Sequence, residues 1–408
     1  MSFHVLIAGG GIGGLCLAQG LRKAGISCAV YESAPGLVRA GYRLHMNAVG
    51  GGALRECLPP NLYELYVQTS RKNPRREMLT VIDDQCNELG SRPHVGPPND
   101  PDRPHTAVNR RTLRQIMLHG IEDIVHFGHA AVGYDIESDR VRLKFADGSS
   151  AEGSVLVGAD GLHSVVRQQL LPEVATLHLD MHGCYASVPI DDALIARIER
   201  EAPALLDGFV IATAPDGRMF TLGLFDPRRP IGEAVAELAP GADIDDVPPY
   251  MMMNVGAAPG SPAAEGMPNL FQADPGRLHQ LMLDTAKGWA PIVQDLAARV
   301  TPESIFPVGI RYLAPAEPWA PGRVTLLGDA IHAMPPTLGA GANSALRDAG
   351  SLVRALVAAS SGQQSIEAAI GAYEQDMREE IFPMLRASAD PRAMDLDFVP
   401  GKPETTTH

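Results

Sequence analysis

The stretch Phe3-His4-Val5-Leu6-Ile7-Ala8-Gly9-Gly10-Gly11-Ile12-Gly13-Gly14 decides the fold of this chain. Its first six residues form an apolar run of the length expected for a buried parallel strand. In the glycine run, Gly9 permits a tight turn, Gly11 lets the backbone approach a pyrophosphate, and Gly14 lets a helix pack closely on the strand. The stretch therefore predicts a strand, a turn and a helix whose N-terminus binds a dinucleotide.

The residues that follow continue the same unit. Apolar residues at helical spacing lead to Gly25, which supplies a stop. A second apolar run at residues 28–31 predicts another strand, which ends at Glu32. An acid at this position can accept hydrogen bonds from an adenosine ribose. A glycine-rich turn without a ligand is the alternative, and the unit alone fits any adenine dinucleotide.

Two further glycine-bearing segments lie far along the chain. Gly158-Ala159-Asp160-Gly161-Leu162-His163-Ser164-Val165-Val166-Arg167 follows a short apolar run, and so does Gly328-Asp329-Ala330-Ile331-His332. The latter continues through Pro335-Pro336 to Gly339-Ala340-Gly341-Ala342-Asn343, which opens a predicted helix. A glycine loop at the start of a helix directs free N–H groups and the positive end of the helix dipole at an anionic ligand.

In this order and at these separations, the three segments resemble those of the FAD-dependent aromatic hydroxylases, the single-component flavoprotein monooxygenases typified by para-hydroxybenzoate hydroxylase. The resemblance runs from about residue 3 to about residue 385. It implies an α/β fold in which a Rossmann-type FAD-binding domain is interleaved with a smaller α+β substrate domain. We predict an FAD-binding domain at residues 1–72, 98–177 and 270–363, a substrate domain at residues 73–97 and 178–269, and a C-terminal helix and tail at residues 364–408.

The resemblance also assigns residues to FAD. Arg110 begins an Arg-x-x-Leu pattern whose arginine pairs with phosphate or ribityl oxygens, whereas Arg111 and Arg114 fit a plain helix surface. Val132 falls where relatives bring a small apolar residue near the adenine, with core packing as the alternative. The expected cofactor-binding residues are Gly9, Gly11, Ile12, Gly13, Gly14, Glu32, Arg110, Val132, Ala159, Asp160, Gly328, Asp329, Gly339, Gly341, Ala342 and Asn343.

The third segment carries the flavin end of the expected site. By resemblance, Asp329 contacts the ribityl chain, and the helix that begins near Gly341 stabilises the anionic reduced flavin. Many relatives carry Gln where this chain has Ala340. We expect FAD binding to survive, because the backbone N–H makes the contact. His332 is expected to be structural rather than a base.

Three further residues are candidates for a role beside the flavin or with NADPH, and two of them have an alternative interpretation. Arg43 is a candidate catalytic residue on the isoalloxazine side, with a structural role as the alternative. Pro336, in the flavin-side loop, is a second candidate. Arg167 is a candidate contact for NADPH, and a surface salt bridge is the alternative.

The region between the second and third segments predicts the substrate domain. Apolar runs at residues 209–213 and 219–225 flank a turn and indicate a hairpin, and residues 250–255 indicate a further strand. These strands would form a sheet over the flavin. The run Met251-Met252-Met253 would supply an adaptable pocket wall or pack in the core. A helix is predicted at residues 364–385 with an interruption at Pro383, followed by an irregular tail.

The resemblance implies that NADPH, or NADH, reduces FAD and that a flavin C4a-hydroperoxide transfers one oxygen atom from O₂ to an aromatic or polyketide-like small molecule. A Baeyer–Villiger or epoxidising enzyme uses the same motifs. A FAD-binding protein or dehydrogenase without oxygen transfer is the other alternative. A flavin halogenase is disfavoured, because Trp289 and Trp319 are the only tryptophans and form no Trp-x-Trp motif.

The composition and charge of the chain limit the classes of binding partner that we expect. The net charge of −14 and the pI of about 5.4 argue against nucleic acid and anionic membranes, since no broad basic face is present. No apolar run approaches the ~18 residues of a membrane span. The five cysteines and thirteen histidines show no zinc spacing. With no secretory signal pattern, we expect a cytoplasmic protein, whose oligomeric state the sequence does not define.

Overall fold

The computed structural model describes residues 3–37, 41–258, 260–265 and 270–400, so the last eight residues of the predicted tail lie outside the described residues. The strands are β1 (His4–Ala8), β2 (Ser27–Glu32), β3 (Arg43–Met46), β4 (Met78–Asp83), β5 (Glu88–Pro93), β6 (Thr106–Asn109), β7 (Val125–Phe127), β8 (Ala131–Ile136), β9 (Val141–Phe145), β10 (Ser150–Gly153), β11 (Val155–Gly158), β12 (Thr176–Pro189), β13 (Phe209–Thr213), β14 (Arg218–Phe225), β15 (Tyr250–Ala257), β16 (Phe306–Leu313) and β17 (Val324–Leu326). The helices are α1 (Ile12–Lys23), α2 (Ala48–Cys57), α3 (Pro60–Thr69), α4 (Arg110–Leu118), α5 (Val165–Leu170), α6 (Asp192–Glu201), α7 (Ile231–Leu238), α8 (Pro262–Glu265), α9 (Pro275–Thr285), α10 (Pro291–Ala298), α11 (Asp329–His332), α12 (Gly341–Ser360) and α13 (Ile366–Ser388).

A five-stranded parallel sheet has the strand order β17-β11-β1-β2-β7. Its central strand β1 is apolar throughout its buried part, and Val5, Leu6 and Ile7 are fully buried, as a two-sided sheet requires. The adjacent strands β1, β11 and β17 each lead into one of the three glycine-bearing segments. Because these strands run parallel, their carboxyl ends bring the three segments together at one edge of the sheet.

A second sheet of seven strands has the order β16-β12-β15-β14-β13-β4-β5. The predicted hairpin is β13 and β14, and Gly217 in its turn has φ +88°, a conformation that favours glycine. One face of this sheet packs on helices α6, α9 and α10 through a core that contains Met251, Met253 and Trp289. The opposite face carries aromatic side chains toward the two-stranded pair β3 and β6.

The predicted fold class is confirmed: the chain is α/β, with a Rossmann-type parallel sheet and a second sheet of seven strands. The division into domains stays a prediction. Helices α9 and α10 and strand β16 pack on the seven-stranded sheet, although the predicted boundary at residue 270 assigns them to the FAD-binding domain.

The predicted interruption at Pro383 is wrong, because α13 continues through this residue to Ser388. Pro383 has no N–H and cannot bond the carbonyl of Glu379. Because Pro383 is exposed, this carbonyl lies on the solvent side of the helix, where water can bond it. The following residues to 400 form turns and dock on β5, where Arg92 donates to the carbonyls of Ala393 and Asp395.

Three further observations concern classes of site. None of the helices within the described ranges is both long and apolar enough to cross a bilayer. The described residues also hold no grouping of histidine, cysteine and carboxylate side chains suited to a metal ion. All five cysteines are free thiols.

Candidate cofactor and substrate site

The glycines of the first turn differ in role: two allow close packing of the backbone, and one leaves space for a ligand. A Cβ atom on Gly9, which has φ +110°, would lie 2.3 Å from the carbonyl oxygen of Ala159, and one on Gly14 would lie 2.1 Å from the carbonyl oxygen of Gly9. A Cβ on Gly11 would meet no described atom within 4 Å. Gly11 is also the N-cap of α1 and supplies no side-chain cap. The helix N-terminus therefore opens onto space that suits a phosphate.

Glu32 lies at the end of β2 beside this turn. Its carboxylate accepts hydrogen bonds from the N–H groups of Gly10 and Ala34, each at 2.9 Å. The side chain thus holds the glycine turn in place, in addition to the ribose contact that we predict for it. The predicted adenine contact Val132 lies on β8 and is 55% exposed, so core packing is wrong for this residue.

The arginines of α4 differ from the expected helix surface. Arg114 is 4% exposed, and its Nη2 donates to the carbonyl of Gly10 at 2.7 Å, so the prediction of a surface role is wrong for this residue. Its long side chain reaches the first glycine turn because α4 packs against α1. Arg111 pairs with Asp245 at the half-buried edge of the same helix. Arg110 lies 5.4 Å from the centroid of the Tyr42 ring and stays a predicted phosphate or ribityl contact.

The second segment closes on the first and third. Asp160 accepts from the Ser164 hydroxyl and from the N–H of Val165 at 2.8 Å, which caps α5. Burial raises the pKa of Asp160, and these hydrogen bonds oppose the rise. Arg167 is 3% exposed and donates to the carbonyls of Leu162 and Ala330, so a surface salt bridge is wrong for it. These two carbonyls lie in the second and third segments, so Arg167 links them; the NADPH contact stays a prediction.

The third segment begins with a glycine in a backbone conformation that other residues rarely adopt. Gly328 has φ +61°, and its N–H donates to Asp348. The same carboxylate oxygen lies 2.5 Å from His332 Nε2, and both side chains are fully buried. Burial lowers the pKa of His332, but the charge of Asp348 outweighs it and raises the pKa overall. His332 therefore forms a buried pair that supports the turn, in line with the structural role expected for it.

Asp329 is placed differently from its neighbour Asp348. It is the first residue of α11, its side chain is exposed, and it makes no hydrogen bond or ion pair with any residue that the structure describes. Gly328 is the N-cap of that helix and provides no side-chain cap. Asp329 thus presents a free carboxylate at the edge where the three segments meet.

Hydrogen bonds from Asn343 hold one side of the loop before α12, and the other side leaves the helix N-terminus uncapped. The Asn343 side chain accepts from the N–H of Asn47 and donates to the carbonyls of His45 and Gly339. Gly339 has φ +64°. The N-terminus of α12 has no side-chain cap, and Gly341 and Ala342 are partly exposed. Their backbone N–H groups remain available for a ligand, whereas Pro336 is exposed at the start of this loop.

These features fit FAD. Gly11 faces open space, two helix N-termini lack side-chain caps, and Asp329 offers a free carboxylate, all at one edge of the parallel sheet. N–H groups at helix ends suit phosphates and an anionic reduced ring, and a carboxylate suits ribose or ribityl hydroxyls. The donors and acceptor match the parts of a flavin adenine dinucleotide.

An aromatic group lies on the face of the seven-stranded sheet beyond this edge. The rings of Tyr185 and Phe306 stack with centroids 4.9 Å apart, and Tyr42 meets Tyr185 edge-on at 5.9 Å. Tyr250 receives a hydrogen bond from Asn109, and burial raises its pKa to about 12. Met252 joins this group, while its neighbours in the methionine run pack in the core. One of the three methionines thus fits the predicted pocket wall.

Arg43 lies between the two halves of the site. Its side chain is 7% exposed, and it donates to the carbonyls of Gly208 and Leu224 at 2.6 and 3.3 Å. A Cβ on Gly223 would come within 3.1 Å of the guanidinium, so this glycine makes room for it on β14. Burial lowers the pKa of Arg43 to about 10, and Arg71 adds to the effect. These contacts give Arg43 the structural role that was the alternative prediction. Its flavin-side role stays a prediction.

A histidine cluster next to Arg43 had no signal in the sequence. The rings of His45, His94 and His105 lie 4.7 to 5.4 Å apart, and His105 Nδ1 is 3.2 Å from His45 Nε2. His94 lies 3.1 Å from Glu77, which also binds Arg71. The three histidines come from separate segments, so only the pairing of β3 with β6 and the position after β5 bring them together. No local spacing pattern could have revealed the cluster.

Comparison with known proteins agrees with the fold and with FAD as the cofactor. The FAD binding domain family matches residues 284–387. A dual O-methyltransferase/FAD-dependent monooxygenase of Phaeosphaeria nodorum, elcB, is 31% identical over 92% of this chain and 43% of its own length. An FAD-dependent urate hydroxylase of Klebsiella oxytoca is 29% identical over 84% of this chain and 79% of its length.

Among solved structures, one from Photorhabdus luminescens, assigned as an FAD-containing monooxygenase, is 28% identical with a TM-score of 0.77, and covers 98% of this chain and 100% of its own. The chain spans less than half the length of the dual-function relatives that it matches. The site defines the class as a flavin-binding protein of the Rossmann type. In sequence and fold the chain is similar to the FAD-dependent monooxygenases with the aromatic-hydroxylase fold.

Proposed function

We propose that this protein is a single-component, FAD-dependent monooxygenase that uses NADPH or NADH to insert one atom of O₂ into a small organic molecule. One observation carries the proposal: the three glycine-bearing segments meet at the carboxyl ends of β1, β11 and β17, beside an aromatic sheet face. A dinucleotide site next to an aromatic, apolar surface suits a reaction in which water must be excluded. Relatives that act on small molecules, such as the urate hydroxylase, support the same class.

FAD, when bound, would accept a hydride from the nicotinamide and, once reduced, activate O₂ for transfer to the substrate. The residues of this chain supply the surroundings. The turn at Gly11 and the N-terminus of α1 would hold the pyrophosphate, and the free carboxylate of Asp329 would hold the ribityl chain. The N-terminus of α12 would stabilise negative charge on the reduced ring. Tyr42, Tyr185 and Phe306 would exclude water and orient a flat substrate.

The outcome of oxygen transfer depends on the substrate, so hydroxylation is proposed with a Baeyer–Villiger or epoxidising reaction as the alternative. A dehydrogenase without oxygen transfer is the competing function. The test is oxygen consumption by FAD-loaded protein with NADPH or NADH, across a panel of phenols and polyketides. Substrate-stimulated oxygen uptake with an oxygenated product supports the proposal. The proposal is refuted if the flavin is reduced but the protein consumes no O₂ and no substrate in the panel changes the rate.

A further inference from the structure

Arginine and tyrosine side chains alternate along a path that leads from the surface of α2 into the interior. The exposed Arg55 donates from Nε and Nη2 to the Tyr63 hydroxyl, at 3.2 and 3.0 Å, and its guanidinium lies 5.2 Å from the centroid of that ring. Arg103 approaches the same hydroxyl and lies 5.9 Å from the centroid of Tyr66. Arg103 is 6% exposed and Tyr66 is fully buried. The path therefore carries positive charge from solvent into the protein.

Two further arginines stand at the inner end of this path. Arg228 donates from Nη2 to the Asn73 side chain at 2.7 Å, and Asn73 in turn donates to the loop that carries Arg103. Arg71, which is 3% exposed, belongs to the segment that pairs with the one holding Arg228. Burial lowers the pKa of Arg228, and the positive charges of Arg103 and Arg71 lower it further. The three guanidinium groups are thus close enough to repel one another.

The guanidinium groups at this inner end outnumber their carboxylate partners. Glu77 accepts two hydrogen bonds from Arg71 Nη2, at 2.9 and 2.8 Å. Asp100 lies 3.5 Å from Arg103. Arg228 donates to an amide oxygen and pairs with no carboxylate in the described part of the chain. Three positive charges therefore face two negative ones, and a buried charge that lacks a counter-ion is costly.

Hydrogen-bond donors in this group also lack acceptors. The Nε and Nη1 atoms of Arg71, Nη1 of Arg103, Nε of Arg228 and the Tyr66 hydroxyl are buried and make no hydrogen bond with any residue that the structure describes. Buried polar groups are rarely left in this condition. A guanidinium group has no acceptor to offer, so a ligand that only accepts hydrogen bonds suits these atoms better than one that also donates.

From this arrangement we infer that the protein binds a small monovalent anion of the chloride class among Arg71, Arg103 and Arg228. One such ion supplies the missing negative charge and accepts the unmet N–H groups, and Arg55 at the surface end of the path draws it inward. The surrounding side chains are buried, which favours a single ion over a bulky phosphate. The ion would hold together α3, the loop before β6 and the segment after β14. None of these arginines lies in a glycine-bearing segment, so the inference does not depend on the proposed function.

Crystals of the FAD-loaded protein grown with sodium bromide give the direct test, because bromide takes the place of chloride and scatters X-rays anomalously. We expect an anomalous peak in contact with the guanidinium groups of Arg103 and Arg228. A map in which bromide binds only elsewhere on the protein, or in which ordered water without anomalous signal satisfies these donors, overturns the inference.

Urea unfolding of the same protein, with a fixed excess of FAD, tests the site in solution. Sodium chloride replaces sodium gluconate at constant ionic strength, so that screening does not change. An ion that binds only the folded state should lower the unfolding equilibrium constant along a saturating curve, by at least about tenfold between no chloride and ~0.3 M chloride. In Arg228→Gln this decrease should shrink to about twofold or less.

The matched control is Arg229→Gln. Arg229 is the next residue in the chain, but it pairs with Glu237 at 2.7 Å on the surface, so its loss should leave the response to chloride as it is in the native protein. A response that does not saturate, or one that Arg228→Gln and Arg229→Gln alter equally, overturns the inference. The bromide map of the native protein decides the matter even if Arg228→Gln fails to fold.

Discussion

Asp329 shows how the structure separates two roles for one residue. A carboxylate at the start of a helix can cap it or bind a ligand, and the sequence permits both. In the structure, Gly328 occupies the N-cap, and the carboxylate of Asp329 is exposed and forms no hydrogen bond or ion pair with a described residue. The buried aspartate that supports the turn is Asp348, which no sequence motif singled out. Cofactor binding stays the predicted role of Asp329, and the absence of a capping role is consistent with it.

Asp329→Ala should therefore weaken FAD binding and leave the protein without cofactor nearly as stable as before. The melting temperature should be measured with and without excess FAD, because a ligand that binds only the folded state raises it. The control is Asp192→Ala, which removes another acidic residue from the first turn of a helix, far from the glycine segments. An undiminished FAD-dependent rise in the Asp329 variant would contradict the assignment.

Glu32→Ala should have a mixed effect, because its carboxylate both faces the predicted ribose site and accepts from Gly10 and Ala34. Loss of a hydrogen bond to a charged group costs about 1.5–3 kcal/mol. We expect lower stability without cofactor and weaker FAD affinity, with turnover recovering at saturating FAD because the reacting ring is distant. Urea unfolding and a titration of activity against FAD check both. Turnover that stays low at full FAD occupancy would show that the predicted role is wrong.

At the scale of elements, the turn between β1 and α1 provides the sharpest contrast. Gly11 has open space around its Cβ position, whereas Gly14 lies against the carbonyl of Gly9. Gly11→Val should consequently fold with nearly native stability and exclude FAD, while Gly14→Val should not fold well, because backbone would have to move. Circular dichroism and flavin content of the purified proteins distinguish these outcomes. Normal flavin content in Gly11→Val would show that the pyrophosphate does not bind at this turn.

Local elements could be predicted from sequence because their signals are local. The run from Phe3 to Gly14 contains a strand, a turn and a helix start within twelve residues, and the hairpin of β13 and β14 has its own turn glycine. Pro383 misled the prediction, because whether a helix tolerates proline depends on which side faces solvent. Arg114, Asp348 and the histidine cluster could not be predicted, since each acquires its role from a segment distant in sequence. The same holds for the carbonyl partners of Arg43.

For the whole molecule, acid should weaken the fold through the interior between the two sheets. A histidine with a lowered pKa is neutral when folded but takes up a proton when unfolded below about pH 6.5. Its contribution is therefore present above that pH and is lost as the pH falls toward the folded pKa, which for His105 is about 4. Glu374 has the opposite sign, because burial raises its pKa to about 7 and its contribution is lost as the pH rises from about 4.5 to 7.

The free energy of unfolding of His105→Asn should accordingly change less between pH 6.5 and 4.5 than that of the native protein, with a difference of up to ~2 kcal/mol for a fully realised shift. Glu374→Gln should change more steeply than the native protein over the same range. Urea unfolding without FAD at three pH values measures all three slopes. Parallel slopes for the native protein and His105→Asn would show that the buried histidine does not titrate as described.

The fate of the two oxygen atoms of O₂ is the most direct test of monooxygenase activity. FAD-loaded protein is supplied with NADPH, ¹⁸O₂ and a substrate that stimulates oxygen uptake, and the product is analysed by mass spectrometry. A monooxygenase places one ¹⁸O atom in each product molecule and consumes one NADPH for it, with the second oxygen atom leaving as water. Product free of label, or NADPH oxidation in which all the oxygen consumed is recovered as hydrogen peroxide, would contradict the account.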